Sequence, residues 1–125
     1  MDKRPVYLDL PKLSSNMSVT GKVSILHRVS GVLMFLAIPL VLFLFHRSLT
    51  DSQFYGYCYM LGSLPVMKLI YLILIWAIMH HMCAGVRFLF LDIHKGIERV
   101  TAQKTARWVL VISLILTVCL GVLMW

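Results

Sequence analysis

The chain has 125 residues, 60% of them hydrophobic and only 14% charged, where a soluble domain carries roughly 25% charged residues. Such hydropathy excludes an ordinary water-soluble domain and makes lipid the solvent for much of the surface. The formal net charge of +7 invites a nucleic-acid reading, but the distribution of the basic residues argues against one. Lys3, Arg4, Lys12, Lys22 and Arg28 lie at or before the start of the first apolar run, and Arg87, Lys95, Arg99, Lys104 and Arg107 cluster after the second. Only Arg47 and Lys68 flank the other connection. This positive-inside pattern predicts a cytoplasmic N-terminus and second loop and a periplasmic C-terminus, with the basic residues meeting lipid head groups.

Residues 1–20 are polar, with Pro5 and Pro11, and read as an extended arm on the cytoplasmic face. The leader before the first apolar run is too long for a secretory signal, and no small-residue cleavage site follows the run. Asp2, Asp9 and the lack of Arg/Ser enrichment argue against a transit peptide. A retained first helix in a bacterial inner membrane is therefore expected. Ser15, Asn16, Ser18 and Thr20 offer caps for a helix starting near residues 21–24. Three uncharged windows, 29–45, 69–86 and 108–125, each have about the length needed to cross roughly 30 Å of hydrocarbon once their ends are extended. They predict membrane helices over about 22–46, 65–92 and 105–125, in a single all-α membrane domain covering 1–125. Pro39 should kink the first. Residues 46–64, with Asp51, Gly56 and Gly62 and followed by Pro65, read as an outer loop whose Tyr55, Tyr57 and Tyr59 suit the interface, and 93–105 as a short cytoplasmic loop. Trp108 and Trp125 would anchor the two ends of the third helix.

Two constellations carry chemistry. The first is Ser24-Ile25-Leu26-His27-Arg28-Val29-Ser30-Gly31 at the cytoplasmic mouth of the first helix. Ser24, His27, Arg28 and Gly31 follow i, i+3, i+4, i+7 and share one face. A guanidinium is the natural partner of a carboxylate such as a haem propionate, and a serine hydroxyl can bond a quinone carbonyl. The plainer reading is a capping serine and a snorkelling arginine at a helix end. The second is His81-x-x-x-Gly85-x-Arg87-x-x-x-x-Asp92. An imidazole inside an apolar span is a functional candidate by default, and a neutral imidazole is a natural axial ligand for haem iron. Gly85, one turn on, permits close approach of a flat macrocycle or another backbone. A histidine bonded to a neighbouring helix is the alternative. His80 points about 100° away and suits a bond across helices.

Two axial ligands must share one depth on facing helices. His81 lies roughly 16 Å from the end of the second helix near Asp92, counting about 1.5 Å per residue. His27, His46 and His94 lie at or beyond the membrane surfaces. Bis-histidine ligation would therefore need a second chain. Cys58, Cys83 and Cys119 are too far apart for an iron–sulfur motif, and no Gly-x-Gly-x-x-Gly or Walker loop occurs. Redox chemistry would thus depend on a bound cofactor and partner chains.

Together, Arg4-Pro5, Leu8-Asp9-Leu10, the Ser24–Gly31 segment and the His81–Asp92 segment resemble the cytochrome b membrane-anchor subunits of bacterial succinate dehydrogenases. The order, the spacing and the three-helix hydropathy match over nearly the whole chain. The resemblance implies half of a heterodimeric helix bundle that binds haem b and helps form a ubiquinone site. It also implies a four-subunit complex with a second three-helix anchor, an iron–sulfur subunit and a flavoprotein that oxidises succinate. By it, His81 is this chain's axial ligand and metal contact. His27 and Arg28 meet the haem propionates, and Ser24 and Arg28 lie at the quinone site. This chain is then a non-catalytic subunit with no catalytic residue of its own. The departure is Phe88, where many relatives carry histidine. The roles of His80 and Asp92 stay open. Rival classes are a fumarate reductase anchor, a haem-free structural anchor and a small transporter, although the spans contain no Asp or Glu for proton coupling.

Overall fold

The computed structural model describes residues 16–124. Most of the expected N-terminal arm, including Pro5, Asp9 and the cap candidate Ser15, lies outside the described residues, as does Trp125. Among the described residues four helices have defined bounds, in order α1 (Val19–Thr50), α2 (Ser52–Gly62), α3 (Pro65–Asp92) and α4 (Arg99–Met124). Three of them, α1, α3 and α4, are long and apolar enough to cross a membrane. The chain is an all-α integral membrane protein.

Local chemistry sets the ends. Ser18 is the cap of α1, its side chain accepting from the Gly21 amide at 3.3 Å. The helix runs continuously through Pro39 to Thr50, longer at both ends than the apolar window alone indicates. Asp51 then closes one helix and opens the next. Its amide donates to Arg47 O at 3.0 Å, while its carboxylate accepts from the amides of Gln53 and Phe54. The segment expected as an outer loop therefore contains α2, because one Asp satisfies the first free amides of a new helix. Pro65 stands in the first turn of α3, where its missing N–H costs nothing. At the other end of α3, His94 takes a left-handed conformation (φ 61°). The Lys95 amide reaches back to Phe90 O and the His94 amide to Leu91 O, both at 3.0 Å, a Schellman ending normally given to glycine. Only residues 93–98 connect α3 to α4; the charged stretch from Arg99 onward is already helical.

α3 is the central helix and packs against both α1 and α4. The buried positions are mainly small: Ser30 on α1, Ala77 and Ala84 on α3, and Ala106, Ser113, Thr117 and Gly121 on α4. On α4 the last four, with Val109, repeat every three or four residues, a single stripe. Small side chains let helix backbones approach closely where lipid removes any hydrophobic drive for association. Large apolar side chains such as Phe35, Leu40, Val122 and Leu123 point outward and are exposed, the inverse of a soluble core.

Candidate functional site

The contact between α1 and α3 is built around three side chains. The His81 Nδ1 lies 3.1 Å from the main-chain oxygen of His27 and 3.2 Å from the Ser30 hydroxyl. The Ser30 hydroxyl donates to the same His27 oxygen at 2.8 Å. Above them the His27 and His81 rings stack, with centroids 4.0 Å apart and planes 15° from parallel. Ser30 is fully buried, and both histidines are half-buried.

Two glycines bracket this cluster. A Cβ on Gly31 would stand 3.1 Å from His81 Cε1, too close for an undisturbed ring. At Gly85 a Cβ would meet His27 Nε2 at 3.7 Å, ordinary contact distance. The space beside Gly85, expected to admit a flat group, is bordered here by the His27 ring. Phe88 meets the edge of that ring at 5.1 Å and lies under the Arg87 guanidinium at 5.5 Å.

Of the sequence-predicted residues, the fold brings together His27, Gly31, His81 and Gly85. Ser24 and Arg28 sit on the same helix but outside the cluster: Ser24 is half-buried, Arg28 is exposed, and neither makes a hydrogen bond or ion pair among the described residues. Ser30 was in the motif without a role, and the structure makes it the hydroxyl beside His81. Its signal was present in sequence, since i→i+3 from His27 places its hydroxyl over that carbonyl.

His80, one residue away, is different in kind. It is fully buried between helices, its ring stacks on Trp76 at 5.3 Å, and its Nδ1 lies 3.4 Å from the Ser113 hydroxyl on α4. This is the bond across helices expected of it. Its Nε2 is buried with no partner. Arg87, also buried, donates from Nε to the Thr105 hydroxyl and from Nη2 to Ala102 O, each at 3.1 Å. It thereby ties the end of α3 to the first turns of α4, and it forms no ion pair among the described residues. Near these residues a cavity of about 570 Å³ opens between Ser18, Gly21, Arg87 and His94.

Among the described residues no group of three or more His, Cys, Asp or Glu side chains could hold a bare metal ion. The His81 imidazole has the chemistry of a haem ligand, with the His27 ring lying against it and beside Gly85, where a planar group would stand.

Comparison with known proteins agrees with this picture. Residues 1–120 match the model of the succinate dehydrogenase/fumarate reductase transmembrane subunit family. The chain is 35% identical over 124 residues to the succinate dehydrogenase cytochrome b556 subunit of Coxiella burnetii, covering 98% of each protein. It is 31% identical over 121 residues to the subunit of the same name in Rickettsia bellii, covering 97% of this chain and 93% of the relative. With the Rickettsia felis subunit of that name it shares 29% identity over 123 residues.

Proposed function

As the chain belongs to the family of succinate dehydrogenase/fumarate reductase transmembrane subunits, we propose that it is the cytochrome b anchor of a succinate dehydrogenase. In that role it binds haem b and forms part of the ubiquinone site in a bacterial inner membrane. Its partners are a second anchor subunit, an iron–sulfur subunit and a flavoprotein, and its N-terminus is cytoplasmic. The observation that carries this reading is the His27–Ser30–His81 cluster flanked by Gly31 and Gly85.

His81 is this chain's iron ligand, the second histidine coming from the partner anchor. Haem, when bound, supplies a one-electron store beside the quinone. Arg28, exposed and without a carboxylate among the described residues, meets a propionate. His27 also serves a propionate, which requires its ring to leave the stack on His81.

Ser24 and Arg28 lie one helical turn apart at the cytoplasmic mouth of α1, the side at which electrons arrive from an iron–sulfur partner. Ser24 donates a hydrogen bond to a quinone carbonyl as negative charge builds on it. The fixed positive potential of Arg28 favours that charge in a low-dielectric setting. Ser24→Ala should weaken ubiquinone binding, and Arg28→Leu should lower quinone reduction more severely. Neither should change succinate oxidation by a dye that takes electrons from the soluble subunits. Wild-type ubiquinone kinetics in both variants would reduce this face to an ordinary helix end. Absorption spectra of the purified complex, oxidised and dithionite-reduced, test the haem assignment itself.

A further inference from the structure

We infer that the main-chain carbonyl of His27 and the hydroxyl of Ser30 together hold the proton of His81 on Nδ1. Nε2 is then the only ring nitrogen free to bind iron, and Ser30 is a positioning residue for that ligand. The inference rests on the haem reading above and goes beyond it by naming the ligating atom and the groups that select it.

The argument is one of donors and acceptors. A carbonyl oxygen can only accept. The His27 oxygen lies 2.8 Å from the Ser30 hydroxyl and 3.1 Å from His81 Nδ1. The serine proton goes to the carbonyl, since that is the shorter contact and the usual i→i−3 bond of a helical serine. The hydroxyl oxygen, 3.2 Å from Nδ1, is then left with lone pairs facing the ring. Nδ1 therefore faces two acceptors. Were Nδ1 unprotonated, its lone pair would point at the carbonyl lone pairs with no proton between them. The Nδ1–H tautomer resolves both contacts, and which nitrogen of a histidine takes a metal is set by the bond the other makes.

The scaffold makes this selection rigid. The carbonyl belongs to a helix backbone and cannot rotate away. Ser30 is fully buried, so water does not compete for Nδ1 there. Glycine at position 31 leaves the ring undisturbed, since a Cβ there would stand 3.1 Å from His81 Cε1, the carbon between the two nitrogens. The Ser113 hydroxyl beside His80 offers an internal control. It too donates along its own helix, to Leu110 O at 3.0 Å, and faces an imidazole Nδ1. It touches the histidine that the haem reading does not use.

The test uses the assembled complex in membranes, with Ser30→Ala and Ser113→Ala compared in a potentiometric haem titration. Removing Ser30 takes away one of two acceptors of the Nδ1 proton, making the ligand less electron-rich and the ferric form less favoured. At a fixed potential the ratio of reduced to oxidised haem should rise, by no more than about fivefold, which is the full weight of one hydrogen bond. Ser113→Ala should leave the ratio unchanged. Electron–nuclear double resonance of the oxidised wild type should also show an exchangeable proton on the remote nitrogen of His81, with altered coupling in Ser30→Ala. An unchanged ratio in Ser30→Ala, or an equal change in Ser113→Ala, overturns the inference while leaving haem ligation by His81 intact. A His81→Leu complex that keeps its low-spin haem overturns both readings together.

Discussion

Replacing the two adjacent histidines one at a time should give opposite outcomes. His80 is fully buried, with no hydrogen-bond partner within bonding geometry for Nε2 and a 3.4 Å contact from Nδ1 to the Ser113 hydroxyl. A buried polar atom without a partner costs about 1–3 kcal/mol. The bond to Ser113 is long, and hydrogen bonds between membrane helices average only about 0.6 kcal/mol. Stacking on Trp76 adds about 0.5–1.5 kcal/mol. In His80→Leu, the Ser113 hydroxyl keeps its bond to Leu110 O, so no new orphan is created. The balance runs from about 1 kcal/mol against the variant to about 2 kcal/mol in its favour. His80→Leu should therefore assemble with a thermal stability close to that of the wild type and an unchanged low-spin haem spectrum. His81→Leu should lose that spectrum, because the ligand itself is gone, and should also free Ser30 and the His27 carbonyl from their shared contact. The assay is an absorption spectrum with a thermal melt on each purified complex. An assembled His80→Leu complex without low-spin haem, or a His81→Leu complex that keeps it, would refute the reasoning.

Further outcomes are expected elsewhere in the chain. Reporter fusions after residues 60 and 125 should report the periplasmic side and one after residue 98 the cytoplasm; a cytoplasmic signal at residue 125 would contradict the proposed orientation. Arg87→Lys should destabilise the bundle by about 1–3 kcal/mol, since an ammonium cannot reproduce the guanidinium fork that spans Thr105 and Ala102; an unchanged thermal midpoint would show that the tie is idle. Ala106→Leu should cost about 1–3 kcal/mol by overpacking the cluster of Val23, Ala84, Ala106 and Val109, read in the same melt. Gly31→Ala should weaken haem retention through the 3.1 Å approach of its Cβ to His81 Cε1, read as haem absorbance per assembled complex, whereas Gly85→Ala, with a Cβ at ordinary contact distance from His27, should disturb that ring less.

Fold class and the three membrane helices were legible in the sequence, because length and hydropathy alone decide what a bilayer accepts. The candidacy of His81 was legible for the same reason: a polar ring inside an uncharged apolar run stands out against its background. The i, i+3, i+4, i+7 spacing put Ser24, His27, Arg28 and Gly31 on one face, and of these four His27 and Gly31 meet His81 while Ser24 and Arg28 do not join the cluster. What periodicity could not supply was the partner across the interface. That α2 forms where a loop was expected follows from Asp51 capping two amides at once, a choice between turn and helix that composition leaves balanced. That Ser30 rather than Ser24 meets His81, that His80 turns to Ser113, and that Arg87 reaches 18 residues along the chain to Thr105 depend on how deeply the helices interlock and at what rotation. Those are set by the small residues at the contacts, where backbone approach is governed by packing between helices rather than by the order of residues along any one of them.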